Sequence, residues 1–282
     1  MTVREICEEC VDVMTCVVYS GDILTKQRNQ MKIELHQGNC LEVMKSIPDG
    51  SVDMILADPP YGTTACKWDS VIDLTLMWAQ IKRIIKPNGA IVMTASQPFT
   101  TKLIMSNFNM YKYSLIWKKN TCTGFMQAKT KPLRSYEDIV VFGDFKLAAQ
   151  YFRGTYNPQG SKSNGTVTYS NKRKEDHITG NRKENTAESN KGYPKDVLEF
   201  NSESKTAHPT QKPVALMEYL IKTYTNEGET VLDFTMGSGT TGVACVNLNR
   251  SFIGIELSEE YFKIAEQRIF NNEIHGKQST TR

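Results

Sequence analysis

Short apolar runs alternate along this chain with stretches that place an apolar residue at every third or fourth position. "MKIELHQGN" and "VDMILADPP" predict strands, and "CLEVMKSIPDGS" between them predicts a short helix closed by a Pro-Asp-Gly turn. In "DLTLMWAQIKRIIKPNG" the apolar positions Leu74, Met77, Trp78, Ile81, Ile84 and Ile85 keep helical spacing up to a Pro-Asn-Gly stop. "AIVMTAS" follows as a buried strand and "PFTTKLIMSNF" as a helix, with "YSLIWKK" and "YEDIVVFG" as two further strands. From Tyr156 to about Lys191 the periodicity fails among Asn, Ser, Gly and Lys, which predicts a long loop or irregular insertion. It resumes with the helix "PVALMEYLIKTYT" and the strand "TVLDF". A glycine turn opening a helix ("MGSGTTGVACVNLN"), the strand "SFIGIEL" and the helix "SEEYFKIAEQRIF" complete the chain. Strands alternating with helices predict an α/β fold, a mostly parallel sheet with helices on both faces. No internal repeat is present.

Strong patterning starts at Met31, so residues 1–30 are read as an N-terminal appendage and residues 273–282 as a tail. The 282 residues suffice for one large α/β domain with an insertion. A hydrophobic fraction of 39% with 23% charged residues describes a soluble globular chain. No run approaches the roughly 18 apolar residues of a spanning helix, which argues against a membrane partner. The opening "MTVREICEECVDVMTC" lacks the basic start and apolar run of a signal peptide, so a cytoplasmic location is expected. Seven scattered cysteines do not suggest a disulfide framework. Cys7, Cys10 and Cys16 have no fourth ligand before His36, and they are read as reduced residues of an N-terminal helix, with no metal site.

The net charge is only +3, but its distribution changes the picture. Between Lys118 and Lys183 there are 13 Lys and Arg against 5 Asp and Glu, the footprint of a polyanion partner. Residues 144–207 are accordingly expected to form a basic insertion.

Two stretches carry chemistry. In "VLDFTMGSGTTGVA", Gly237, Gly239 and Gly242 mark a strand-to-helix turn, and Glu256 ends the next strand. Glycines let the backbone approach a ligand and the terminal carboxylate binds ribose hydroxyls, so a nucleoside-containing cofactor is expected. No Lys-Ser or Lys-Thr follows, which disfavours triphosphate hydrolysis. The other stretch ends a strand in Asp58-Pro59-Pro60-Tyr61. Two prolines fix φ and remove amide donors, leaving a carboxylate, rigid carbonyls and an aromatic face at the carboxyl edge of the sheet. Such a site suits a planar group bearing an NH₂. Asp58 and the Pro59 carbonyl accept the hydrogens of a nucleobase amine while Tyr61 stacks on the ring, and reaching that atom in a duplex requires flipping the base.

"DPPY" with "DFTMGSGTT" resembles the β class of amino-methylating DNA methyltransferases, in which the acidic motif precedes the target-recognition region and the cofactor motif comes last. "HPTQKP", residues 208–213, also matches that class, and the resemblance runs from about Met31 to Phe270. It implies a Rossmann-like methyltransferase fold, S-adenosylmethionine as cofactor and double-stranded DNA as partner. Residues 31–143 then form the catalytic half, 144–207 the target-recognition region and 208–272 the cofactor half. Asp58, Pro59, Pro60 and Tyr61 become catalytic. Asn39, Asp58, Thr210, Lys212, Asp233, Phe234, Gly237, Gly239, Thr240, Thr241 and Glu256 become cofactor residues. Lys67, Trp68, Lys172, Arg173 and Lys174 are assigned to DNA, and His208 to an orienting role beside the cofactor. Asn39 departs from the family's usual Asp and Thr235 from its usual Phe. The Asp of the first motif leans toward adenine N6 as target, with cytosine N4 the alternative. Methylation of RNA or of protein glutamine fits the motif order poorly, and a non-catalytic DNA-binding module has no need of both motifs. Cytosine C5 methylation is rejected because no Pro-Cys occurs. Many relatives of this class are dimers, but no interface signature is legible here, and neither is whether a cognate restriction endonuclease accompanies the chain.

Overall fold

A computed structural model of the chain describes residues 16–20, 23–28, 31–62, 70–143, 154–170, 184–202 and 211–275. The chain separates into two compact units, Met1–Asn157 with Asp196–Arg282, and Pro158–Lys195.

In the larger unit the elements run β1 Cys16–Ser20, β2 Ile23–Arg28, β3 Met31–Gln37, α1 Cys40–Val43, β4 Val52–Ala57, α2 Leu74–Ile84 and β5 Ile85–Ala95. They continue with α3 Phe99–Ser106, β6 Tyr111–Thr123 and β7 Arg134–Phe142; β8 Lys162–Ser170 and β9 Glu184–Lys191 belong to the smaller unit. Then come β10 Val197–Glu199, α4 Val214–Tyr224, β11 Thr230–Asp233, α5 Thr240–Asn247, β12 Ser251–Glu256 and α6 Glu259–His275. One ten-stranded sheet has the order β1-β2-β3-β12-β11-β4-β5-β7-β6-β10. β3, β12, β11, β4 and β5 are mutually parallel, while β7 runs antiparallel to both β5 and β6.

The central strands are apolar on both faces because both faces are covered. In β4, Met54 and Leu56 pack into a core that includes Leu216 and Leu220 of α4, Ala244 of α5 and Ile269 of α6. Ile55 and Ala57 point the other way, into a core with Met77 and Ile81 of α2 and Leu103 of α3. Asp53 ties three strands together: it accepts from the Thr230 amide at the start of β11 (3.0 Å) and pairs with Lys86 of β5 (2.6 Å). Asp73 caps α2 through the amides of Thr75 and Leu76.

Four expectations need correction. Cys16 begins a strand rather than sitting in a helix, and β1–β2 form an antiparallel ribbon that extends the sheet from β3, so residues 16–28 are no separate appendage. Cys7 and Cys10 lie outside the described residues. Pro87-Asn88-Gly89 does not end a helix; α2 stops at Ile84, the next residue is already extended, and the three residues lie in an irregular opening of β5. The insertion contains an antiparallel pair, β8 with β9. Its strands, "KSNGTVTYS" and "ENTAESNK", alternate almost no apolar residues, so hydrophobic periodicity could not reveal a pairing made by the backbone.

Candidate functional site

The sheet order brings two distant parts of the chain together. β4 and β11 are parallel neighbours with Ile55 opposite Leu232, so Asp58 and Asp233 leave the sheet side by side at its carboxyl edge. β12 lies on the far side of β11 and β3 beyond it, with Glu256 opposite Gln37, which adds Glu256 and the Gly38-Asn39 turn to that edge. Chain order reverses between β4 and β11, the position at which open α/β sheets form their ligand crevice. A cavity of about 610 Å³ opens there, lined by Asn39, Asp58 to Tyr61, Lys212, Asp233 to Gly237, Thr240, Thr241 and Glu256.

At the acidic corner, Asp58 is held from three directions. Its Oδ1 accepts from the Tyr61 hydroxyl (2.6 Å) and from the Thr94 hydroxyl of β5, and its Oδ2 accepts from the Lys212 ammonium (2.5 Å). Lys212, almost fully buried, also lies 3.4 Å from Glu137 of β7, whose other oxygen binds Lys119 of β6. Burial alone depresses an ammonium pKa, but Asp58 and Glu137 outweigh it and raise that of Lys212, so the residue is charged. The row Lys119–Glu137–Lys212–Asp58 therefore alternates in sign and balances to zero. The Tyr61 ring stacks on Phe99 of α3, with centroids 5.4 Å apart and planes 24° apart, and the Lys212 ammonium stands 5.8 Å from its centroid. Burial pushes the Tyr61 hydroxyl well above its ordinary pKa, reinforced by Asp58 and Glu137, which keeps it a donor.

At the glycine corner, Gly237 (φ 53°) and Gly239 (φ 78°) take left-handed conformations that favour glycine. The Gly237 amide donates to Glu256 Oε2 (2.9 Å) and the Ser258 amide to Oε1 (2.8 Å), so the end of β12 clamps the turn. Gly239 is not part of the cavity wall; it starts α5, and a Cβ there would stand 2.9 Å from the Ala265 Cβ of α6. Asp233 is buried and accepts from the Thr241 hydroxyl (2.6 Å) and the Thr235 amide (3.1 Å). Desolvation nonetheless pushes its carboxyl up to about 7, and the nearby Asp58 and Glu256 charges add to this. Burial likewise raises Glu256, opposed by its backbone donors. Thr235, in the cavity wall, has a buried hydroxyl without a hydrogen-bond partner among the described residues.

The structure thus gathers Asn39, Asp58, Pro59, Pro60, Tyr61, Lys212, Asp233, Phe234, Gly237, Thr240, Thr241 and Glu256 around one cavity. Asn39 spends its side-chain oxygen on the Leu41 amide as the cap of α1 (2.9 Å). Lys67, Trp68, Lys172, Arg173, Lys174, His208 and Thr210 lie outside the described residues. Sequence reasoning missed Thr94, Glu137 and Lys119. Thr94 did leave a trace, as the one polar residue between buried neighbours in "AIVMTA". Glu137 and Lys119 sit on antiparallel strands, and only the pairing of β6 with β7 brings them to the site.

A sheet with this reversal, an acidic Pro-Pro corner and a glycine turn clamped by the next strand's carboxylate define an α/β enzyme that acts on a ligand bound at the carboxyl edge. Residues 52–267 match the N6/N4 methyltransferase family model, described as DNA methylase, and the chain belongs to that family. It is 30% identical over 264 residues to the DNA adenine methyltransferase YhdJ of Escherichia coli K12, covering 87% of this chain and 85% of that protein. It is 26% identical over 263 residues to the type II methyltransferase M.HpaI of Haemophilus parainfluenzae, covering 84% and 74%. Among solved structures, the M1.HpyAVI–SAM complex superposes with a TM-score of 0.55 at 27% identity, over 83% of this chain and 98% of that one.

Proposed function

We propose that this protein transfers a methyl group from S-adenosylmethionine to N6 of an adenine flipped out of duplex DNA. The observation that carries the reading is the cavity shared by the Asp58 corner and the glycine turn, two motifs almost 180 residues apart.

The residues present suit the cofactor. The Thr235 hydroxyl, unpartnered among the described residues, offers a polar atom to a ligand. Glu256, with one oxygen on each of two amides, keeps lone pairs for ribose hydroxyls, and Asp233, whose carboxyl burial raises to about 7, suits the ammonium of the amino acid moiety once it ionises. Glu256, Asp233, Phe234 and the Gly237 turn would hold it, together with Asn39 and Leu41 of the same cavity lining. Bound S-adenosylmethionine supplies an electrophilic methyl group on a sulfonium.

Asp58 and Pro59 prepare the amine. A carboxylate offers about four lone-pair positions, and three at Asp58 are taken by Tyr61, Thr94 and Lys212. One remains, enough for one amine hydrogen, so the other falls to the Pro59 carbonyl. Both acceptors draw the N–H bonds away from the ring and free the nitrogen lone pair for attack. The methylated amine is cationic, and its proton leaves past Asp58 to solvent. Phe99 covers one face of Tyr61, so the opposite face is left for the base.

The name of YhdJ and the Asp of the acidic motif favour adenine over cytosine N4. The reading extends to a cytoplasmic enzyme of a prokaryote or phage, supported by its bacterial relatives, and to two further partners. These are a second copy of the chain and a cognate restriction endonuclease, the latter supported by the type II designation of M.HpaI. DNA sequenced from cells expressing the protein tests the reading: N6-methyladenine confined to one short motif is expected, and N4-methylcytosine, or no modified base, would overturn it.

A further inference from the structure

The ladder between β6 and β7 runs past the end of β5, with β10 alongside β6 as far as Lys118. β5 ends at Ala95, opposite Asp138 of β7, but β7 continues back through Glu137 and Tyr136 to Arg134, paired with Trp117, Lys118 and Thr123 of β6. The hairpin therefore overhangs the carboxyl edge. From Glu137 in the cavity wall to Arg134 it spans roughly 10 Å of extended chain, and a ten-residue tip, 124–133, follows.

Its root is fixed at the site. Glu137 binds Lys119 and lies 3.4 Å from Lys212, and Arg134 donates to the Ser96 hydroxyl and to the Gln97 carbonyl (3.1 Å). The tip is the opposite. A left-handed Gly124 turns into a short 3-10 segment, Phe125–Gln127, that buries nothing. Phe125 is 69% exposed and Met126 fully so, two large apolar side chains held out in water. Around them, residues 118–134 contain five Lys and Arg and no acid. Lys118 and Lys119 have carboxylate partners, whereas Lys129 and Lys131 have none among the described residues.

Resting on the reading that duplex DNA is the substrate, we infer that this hairpin is a DNA wedge, with Phe125 and Met126 entering the base stack beside the extruded base while Lys129 and Lys131 grip phosphates. Exposed apolar residues on a rigid mount fill the gap left by a departing base, and unpaired cations complement the backbone. A polyanion is the occupant that accounts for both. An apolar protein partner would leave Lys129 and Lys131 without counter-charges, and a purely electrostatic clamp has no use for Phe125 and Met126. Arg134 and Glu137 fix the root relative to Asp58, so the wedge and the pocket act on neighbouring nucleotides.

The test uses the full chain as wild type, Phe125→Ala/Met126→Ala and Lys129→Ala/Lys131→Ala. The probe is a duplex bearing the motif mapped in expressing cells, with 2-aminopurine at the target position. Wild type is expected to raise the fluorescence on binding. The apolar double variant should bind the duplex but lose that rise, and its turnover on the unlabelled duplex should drop about tenfold, reflecting the cost of unstacking. An abasic position opposite the target, which lowers that cost, should restore turnover. The lysine variant should instead raise KM and lower the salt dependence of binding, with kcat retained. An undiminished fluorescence rise and turnover in the apolar variant, or a loss that the abasic duplex does not relieve, would overturn the wedge alone. Wild type that methylates no duplex DNA would overturn the functional reading and the wedge with it.

Discussion

Asp58 is an acceptor with a single opening left, and that makes it the residue most exposed to test. Asp58→Ala removes the acceptor for the amine but touches neither Glu256 nor the glycine turn, so calorimetry should find cofactor binding retained while transfer falls about a hundredfold or more. Turnover near that of wild type would remove Asp58 from the mechanism. Lys212 is held by two carboxylates and is nearly fully buried. Lys212→Met leaves those carboxylates facing each other, and urea unfolding should show a loss of about 3 kcal/mol, since a partner removed from a buried pair strands a charge. Asp233 gives a pH signature. Its folded carboxyl is raised to about 7 from the ordinary carboxylate range, so the folded protein holds a proton there that the unfolded chain has released. Its contribution to stability is present at acid pH and is lost as pH rises to about 7. Affinity for a cationic cofactor should move the other way, increasing through the same window as the carboxylate ionises. Asp233→Asn should flatten both profiles, and a wild-type binding profile that is already flat would contradict this role.

At the scale of elements, the strand-to-helix turn decides whether the cofactor corner exists. Gly239 combines a left-handed φ with a Cβ position 2.9 Å from Ala265 Cβ and 3.0 Å from its Cα, so neither rotation of a side chain nor a small shift relieves an added methyl. Gly239→Ala should cost about 1–3 kcal/mol, read as a lowered thermal midpoint, and should weaken cofactor binding as α5 tilts away from Gly237. Retained affinity would separate the turn from the ligand. This corner was legible in the sequence because glycine spacing and a strand-terminal Glu are local signals. The row behind Asp58 was not. Glu137 and Lys119 reach the site by an antiparallel pairing, and a one-dimensional pattern does not say which strands become neighbours. The β8–β9 pair was hidden for a different reason: Ser, Asn and Thr make backbone ladders as well as Val does, yet leave no apolar alternation to read.

For the molecule as a whole, the reversal of strand order between β4 and β11 converts separate motifs into one site. The acidic motif arrives early in the chain and the glycine motif late, and only their meeting at one edge explains why a basic stretch can be inserted between them without disturbing the core. That stretch supplies charge: neutralising Lys172, Arg173 and Lys174 should weaken DNA binding and lower the slope of log affinity against log salt by roughly 0.9 for each phosphate that is no longer neutralised. An unchanged slope would assign the cluster to solubility. The whole account turns on a methyl group passing from the glycine corner to an amine polarised at the acidic one. Incubating the protein with unmethylated duplex DNA and methyl-labelled S-adenosylmethionine, then digesting to nucleosides, tests that transfer most directly. Label in N6-methyladenine with wild type, and none with Asp58→Ala, is the predicted result; label in N4-methylcytosine, in RNA or protein only, or undiminished in the variant, would contradict it.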